Sequence, residues 1–136
     1  MSSDAITMLP WSWIVINSSG GKDSMAAMLH ILELADQTGI NRSKIVVSHQ
    51  NLGASEWPGT TELVKAQAAI LGLRCLESSY RDKDGEQVSL LQYARKRGKW
   101  PSSTNRWCTA DFKRGPGGRV LTTLSRERPG PILHIF

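Results

Sequence analysis

The chain alternates between short, continuous apolar runs and longer stretches in which apolar residues recur every three or four positions. The continuous runs predict buried strands, and the periodic stretches predict helices. The predicted strands are 13–19, 44–50, 73–79 and 131–136. The predicted helices are 25–38, 60–71, 87–97 and 119–127. Thr60 or Thr61 is the expected cap of the second of these helices. Strands that alternate with helices indicate βαβ units and a parallel sheet with helices on both faces.

The order of these elements predicts an α/β fold. We expect a doubly wound parallel sheet of about five strands in a Rossmann-like sandwich, because the strands alternate with helices. Ligands of such sheets bind beyond the carboxyl ends of the strands, where the strand order reverses. The length of 136 residues suits one domain spanning residues 1–136. Strands of this kind usually lead into a further connection, so we expect that a C-terminal extension is missing.

A loop rich in glycine and serine joins the first predicted strand to the first predicted helix. It consists of Ser18, Ser19, Gly20, Gly21, Lys22, Asp23 and Ser24. The first N–H groups of a helix have no intrahelical partner and carry the positive end of the helix dipole, so they attract anions. The glycines let the backbone approach an anion closely, while the serines and Lys22 add hydroxyl donors and a positive charge. The loop is therefore a predicted phosphate-binding site; the alternative is a structural turn in which Asp23 caps the helix.

Composition narrows the class of protein. Apolar residues make up 40% of the chain, as in globular proteins, and no apolar run approaches the ~20 residues of a membrane span. The N-terminus lacks the pattern of a secretory signal, so we expect a cytoplasmic protein with no membrane partner. The two cysteines, Cys75 and Cys108, exclude a disulfide framework and a four-cysteine metal site within one chain.

The charge of the chain is unevenly distributed. Residues 1–94 carry seven Lys/Arg and ten Asp/Glu, whereas residues 95–128 carry ten Lys/Arg and two Asp/Glu. Such a basic segment predicts an anionic partner, either nucleotide phosphates or nucleic acid, although a solvated surface has the same composition. Arg106 and Lys113 are the candidate phosphate contacts within it. Trp100 and Trp107 flank the basic loop, and they either stack on bases or anchor the loop to the core.

Cys108 lies among basic residues in the sequence. Neighbouring cations lower the pKa of a thiol and favour the thiolate, which suits a nucleophile or a carrier of persulfide sulfur. The alternative is a small, partly buried apolar residue. His49, at the carboxyl end of the second predicted strand, is a candidate ligand contact, whereas Cys75 and His134 are predicted to be structural.

Three segments carry a resemblance to a known superfamily. The loop does not fit the pattern G-x-x-x-x-G-K-[ST], since Asp23 follows Lys22. Residues 19–24 instead resemble the S-G-G-x-D-S pyrophosphate (PP) loop of the N-type ATP pyrophosphatases. Residues 53–64 are similar to the F-P-E-T region of phosphoadenosine phosphosulfate (PAPS) reductases. Residues 106–116 resemble the R-x-C-T-x-x-x-K-x-x-P signature of a branch that includes the ATP pyrophosphatase component of DNA phosphorothioation systems and PAPS-reductase-like phage proteins.

The resemblance implies an adenine-nucleotide alpha-hydrolase-like fold that binds ATP with Mg²⁺ and adenylylates an acceptor. It implies that the pyrophosphate is held by Ser19, Gly20, Gly21 and Ser24. Lys22 would neutralise the charge that builds on the pyrophosphate, and Asp23 would cap the helix or position the magnesium ion. The residues expected near the adenine are Val47, Ser48 and His49. The pathway implied is sulfur transfer, such as DNA phosphorothioation, with a cysteine desulfurase as a partner.

Departures from the family pattern keep two other functions open. Asn51 stands where the reductases have Asp, and their C-terminal cysteine motif is absent, so we do not expect PAPS reduction from this chain alone. One alternative is a nucleotide-sensing module that docks DNA or another nucleic acid through residues 95–128 without turnover. The other is a PAPS-reductase-like enzyme that acts on a sulfonucleotide.

Overall fold

The structure, a computed structural model, describes residues 11–53, 56–104, 106, 112 and 114–136. Its strands are β1 (Trp13–Asn17), β2 (Ile45–Asn51), β3 (Arg74–Ser79) and β4 (Ile132–Ile135). Its helices are α1 (Lys22–Thr38), α2 (Thr60–Ile70), α3 (Leu90–Arg97) and α4 (Gly115–Glu127), with a 3₁₀ turn at Arg42–Lys44. The α/β class is confirmed, and the described residues form four strands, so the expected count of about five is not shown.

All four strands are parallel and lie in the order β3-β2-β1-β4. The chain therefore builds outward from β1 through β2 to β3 and then returns to place β4 on the other side of β1. In register, Val15 lies opposite Val46 on one side and His134 on the other. The order reverses between β1 and β4, which makes the carboxyl ends of these two strands a switch point, as in Rossmann-like folds.

Two apolar clusters occupy opposite faces of the sheet. Ile14 and Ile16 of β1 belong to one cluster, with residues of α1 and α2 such as Met28 and Val64. The other cluster consists of Trp13, Val15, Val46, Val120 and Leu124, the last two from α4. Successive strand residues point to opposite faces, so a strand covered on both faces must be apolar throughout. This explains the continuous apolar runs that predicted the strands.

Two helices begin earlier than the apolar periodicity predicts. α1 begins at Lys22 rather than at Met25, because its first turn is polar and carries no apolar signal. α4 begins at Gly115, so residues 115–118, predicted as loop, are helical. Pro116 lies in the first turn of α4, the one part of a helix where a missing N–H costs nothing.

Local capping chemistry also differs from the prediction. Thr60 or Thr61 is the expected cap of α2, but the N-cap is Gly59, which has φ 87° and makes no side-chain capping bond. The two threonines are used elsewhere: Thr60 Oγ1 donates to the Trp57 carbonyl, and Thr61 Oγ1 contacts His49. In the part of the chain described, no helix has the length and apolar content needed to cross a membrane.

Candidate functional site

The loop that follows β1 is tied to both neighbouring elements. The Ser18 N–H donates to the Ser48 carbonyl oxygen at 2.9 Å, which extends the β1–β2 pairing by one residue. Gly20 then adopts φ 83°, a left-handed conformation that favours glycine. A Cβ at this position would lie 3.4 Å from Val64 Cγ2, so the backbone turns closely against α2. Gly20 is therefore required by both conformation and packing.

The start of α1 presents unpartnered backbone donors. Gly21 is the N-cap and makes no side-chain capping bond, and the first backbone bond of the helix runs from Met25 N to Gly21 O. The N–H groups of residues 22–24 therefore precede the first intrahelical bond. The Ser24 hydroxyl accepts from Ser19 N at 3.2 Å and lies 3.3 Å from Ser19 Oγ. This combination of free N–H groups and two hydroxyls suits an anion.

Lys22 and Asp23 project into solvent beside this helix start. Lys22 Nζ lies 3.1 Å from Asp23 Oδ1, and the two side chains are 90% and 93% exposed. Asp23 does not cap the helix, so that alternative for its role is wrong. Among the described residues no three His, Cys, Asp or Glu side chains cluster closely enough to hold a metal ion. A magnesium ion at Asp23 would complete its shell with phosphate and water oxygens, as Mg²⁺ commonly does.

His49 connects the loop to the segments that follow β2. Its side chain is 2% exposed; Nδ1 lies 2.9 Å from the Ser18 carbonyl oxygen, and Nε2 lies 3.2 Å from Thr61 Oγ1. A carbonyl oxygen only accepts, so Nδ1 carries the proton. Glu56 Oε2 lies 3.6 Å from Nε2. Both ring nitrogens are therefore engaged by protein groups. Through them His49 links the loop, at the Ser18 carbonyl, to Thr61 of α2.

The other two residues expected near the adenine are fully buried. The Val47 side chain belongs to the core beneath α1 and α2. Ser48 is 1% exposed, and its hydroxyl accepts from Gln50 Nε2 at 2.9 Å. Ser48 thereby orients Gln50, a residue that the sequence did not single out.

Two adjoining cavities lie at the carboxyl ends of the strands. The first has a volume of about 260 Å³ and is lined by the hydroxyl-rich loop together with His49 and Glu56. The second has a volume of about 470 Å³ and extends toward α4. Both are bordered by Asn17, Gln50 and Phe136. The loop and the cavities thus meet at the switch point between β1 and β4.

Several residues of the larger cavity were missed from the sequence. Nε2 of His134 lies 3.1 Å from Asn17 Oδ1 across the β1–β4 pair, and burial lowers the pKa of His134 and favours the neutral ring. A Cβ at Gly117 would lie 3.4 Å from Gln50 Nε2, so this glycine lets α4 approach β2. In the sequence, these residues could have been found only as polar side chains at the ends of predicted strands. The strand order, which the sequence does not show, is what brings them into one cavity.

Asn51 serves the turn after β2. Its Oδ1 accepts from Gly53 N at 2.7 Å, and its Nδ2 donates to Glu77 Oε1 at 2.9 Å. Hydrogen bonds from Asn51 and then from Lys65 lower the pKa of Glu77. The donor and the acceptor of the Asn51 amide are therefore both engaged by protein groups.

The basic segment reaches several separate places. Arg114 borders the larger cavity, and Arg106 is exposed. Arg128 lies 4.5 Å over the Trp13 ring, beyond the amino end of β1, and Arg119 donates to the Ser79 carbonyl. Two predicted site residues, Cys108 and Lys113, fall outside the described residues, as does Trp107.

Cys75 has the structural environment that the sequence predicts. It is half-buried in β3 and packs against the core beneath α1 and α2. Burial raises the pKa of the Cys75 thiol, which keeps it protonated and unreactive.

Comparison with known proteins adds no relative to this picture. No protein-family model matches the chain, and no curated protein matches its sequence. The functional argument therefore depends on the motifs and on the geometry of the loop and its cavities.

Proposed function

We propose that this protein is a PP-loop ATP pyrophosphatase with an adenine-nucleotide alpha-hydrolase-like fold. It binds ATP with Mg²⁺ at residues 18–24 and activates an acceptor by adenylylation. A nucleophilic group of the acceptor attacks the α-phosphorus, the bond to the bridging oxygen breaks, and pyrophosphate leaves. The observation that carries this proposal is the uncapped start of α1 behind the left-handed Gly20, at the end of a central strand.

The helix start suits a departing pyrophosphate. Negative charge grows on the leaving group as the bond breaks, and fixed N–H donors stabilise it without reorganising. The hydroxyls of Ser19 and Ser24, 3.3 Å apart, add two further donors beside these N–H groups. Lys22 contributes a mobile positive charge, because its exposed ion pair with Asp23 is weak and readily exchanged for a phosphate contact.

Magnesium would neutralise charge on the phosphate oxygens when bound. Asp23 is the carboxylate of the loop that would hold it, and its 93% exposed side chain is free to turn toward the phosphates. One carboxylate with substrate phosphates is a common way for proteins to bind this ion.

The larger cavity supplies room for a nucleoside. Its volume of about 470 Å³ lies within the usual range of small-molecule sites. Leu121 and Phe136 give it apolar walls, and Asn17, Gln50 and His134 give it polar groups. It adjoins the loop, so one nucleotide would place its phosphates at α1 and its base toward α4.

The pathway proposed is sulfur transfer in the cytoplasm, such as DNA phosphorothioation, with Cys108 as a carrier of sulfur from a cysteine desulfurase. Its support is the resemblance of residues 106–116 to the signature found in that branch. If replacing Cys108 with serine left sulfur transfer intact, the carrier role would be abandoned.

The direct test is titration of ATP and Mg²⁺ into the protein by calorimetry, with chromatography of the incubated nucleotide. We expect ATP binding and the appearance of AMP and pyrophosphate. Gly21→Asp should abolish binding, because it places a carboxylate beside the free N–H groups. Ala66→Asp is the matched control, since it adds the same charge at an exposed position of α2.

Other outcomes assign other functions. ADP and phosphate as products would exclude a pyrophosphatase. Binding without turnover would favour the nucleotide-sensing module, and sulfite release from a sulfonucleotide would favour the PAPS-reductase-like enzyme. Equal ATP affinity of wild type and Gly21→Asp would show that the loop is not the binding site.

A further inference from the structure

The end of α3 carries a groove that shares no lining residue with the candidate site. The helix ends at Arg97, and Gly98 follows with φ 75°, which turns the chain back along the helix. The resulting groove has a volume of about 310 Å³. It is lined by Leu91, Ala94, Arg95, Gly98, Lys99 and Trp100. We refer to these six residues as the Trp100 groove.

The groove combines an exposed aromatic ring with an apolar floor. Trp100 is 69% exposed and Leu91 is 45% exposed, whereas most large apolar side chains in the described residues are buried. Ala94 and Gly98 are small and lie between them, which leaves the groove open. A flat heteroaromatic ring is the kind of group that stacks on an exposed indole.

The cations around the groove have no acidic partners in the part of the chain that the structure describes. Within the described residues, Arg95, Lys96 and Lys99 take part in no ion pair, and the sequence has no Asp or Glu from 87 to 104. Two other exposed cations are paired: Lys65 with Glu77, and Arg74 with Glu127. No acidic side chain of the described residues therefore compensates the positive charge at the end of α3.

The side of α3 that faces away from the groove packs against aromatic residues, which hold the helix in place. Tyr93 packs edge-on against Tyr80 and Phe112, with ring centroids 5.0 and 5.2 Å apart. Arg97 lies 5.8 Å over the Tyr93 ring, so this cation is directed to that side. Arg95 and Lys99 border the groove itself.

We propose that the Trp100 groove binds single-stranded nucleic acid. A base stacks on the Trp100 indole, and the flanking phosphates contact Arg95 and Lys99. Stacking on a side chain requires a base that is not stacked in a duplex, which selects a single strand. The proposal does not depend on ATP hydrolysis, because the groove and the α1 loop are separate.

A purely structural explanation of the cations is that they stabilise the carboxyl end of the helix through its dipole. α1 and α2 end with no basic residue in the last turn and α4 has only Arg126 there, so the three consecutive cations at the end of α3 exceed what the other described helices have. The helix-dipole explanation also does not account for the exposure of Trp100. The two explanations differ in what they predict for binding.

The test measures fluorescence anisotropy of a labelled oligothymidine of about twelve nucleotides with the full chain, from about 50 to 200 mM salt. Trp100→Ala should weaken binding at least about fivefold, and Trp100→Phe should recover part of the loss because it keeps a stacking ring. The matched control is Trp57→Ala, since Trp57 is 87% exposed but lies outside the groove. Lys99→Ala should reduce the salt dependence by about one phosphate contact, and Lys83→Ala, also exposed, should not.

These outcomes support or overturn the proposal. The proposal is supported if Trp100→Ala weakens oligonucleotide binding and Lys99→Ala lowers its salt dependence, while Trp57→Ala and Lys83→Ala change neither. Absence of binding at low salt overturns it, and so does equal binding by all variants. Tighter binding to vesicles with anionic lipid than to the oligonucleotide would also overturn it, because the groove would then be a membrane contact.

Discussion

In the sequence, the loop at residues 18–24 and the basic segment at residues 95–128 are both candidate anion sites. In the structure, they differ in whether their polar groups lie together. The loop stays together: its backbone donors and hydroxyls face one place, at the end of β1. The basic segment is divided between the end of α3, the larger cavity and Trp13 at the opposite end of β1. Contiguous charge in the sequence is thus not a contiguous surface, whereas a short loop before a helix keeps its residues close.

The largest expected effect is on stability, at Trp13, the residue that Arg128 of the basic segment contacts. Trp13 is 4% exposed, its Nε1 donates to the Leu124 carbonyl at 2.8 Å, and Arg128 lies over its ring. Trp13→Ala should lower the free energy of unfolding by about 3–5 kcal/mol, because it leaves a cavity and removes the indole hydrogen bonds to the Leu124 and Arg128 carbonyls. Urea unfolding followed by circular dichroism measures this. Trp57→Ala, which removes an exposed ring, should change it by less than about 0.5 kcal/mol; similar losses in both variants would contradict the assignment of Trp13 to the core.

The second prediction separates two adjacent glycines of the loop. Gly20→Ala should cost about 1–2 kcal/mol of stability, because φ is 83° and a Cβ would press on Val64. Gly21→Ala should change stability by only a few tenths of a kcal/mol, since φ is −80° and a Cβ would meet only Ser19 Oγ at 3.6 Å, an ordinary contact distance. Thermal and urea unfolding of both variants measures the difference. Equal losses would mean that the conformation of Gly20 is not what constrains the loop.

The smallest expected effect is on the pH dependence of stability, and it concerns His134. This residue lines the larger cavity, which adjoins the loop and is bordered by Arg114 of the basic segment. Its neighbours in the larger cavity are Asn17, Arg114 and Phe136. Burial lowers the pKa of His134 below its usual 6.5. The unfolded chain then binds a proton that the folded chain does not, so this contribution is complete above pH 6.5 and is lost as pH falls from 6.5 through the folded pKa.

The free energy of unfolding measured between about pH 7.5 and 5.5 tests this. His134→Gln should reduce the fall in stability over that range, and His30→Gln, at an exposed position of α1, should leave it as in wild type. An unchanged slope in His134→Gln would show that another group titrates there.

Much of the fold could be predicted because its signals are local. The alternation of continuous apolar runs with helical periodicity placed four strands and four helices, and the glycine loop was recognised from adjacent residues. The errors were also local: the polar first turn of α1 and the glycine-rich start of α4 carry no apolar signal, and Gly59 caps α2 by conformation rather than with a side chain.

The sequence by itself determined the type and alternation of the strands and helices and the polar composition of residues 18–24, because each depends on neighbours within a few positions. Only the tertiary structure decided which strand ends meet, and hence that His134 contacts Asn17 and that His49 braces the Ser18 carbonyl. Among the described residues, it also decided which cations of residues 95–128 contact the core and which have no acidic partner. These contacts join residues far apart in the chain, and their geometry depends on the strand order β3-β2-β1-β4, which no local pattern encodes.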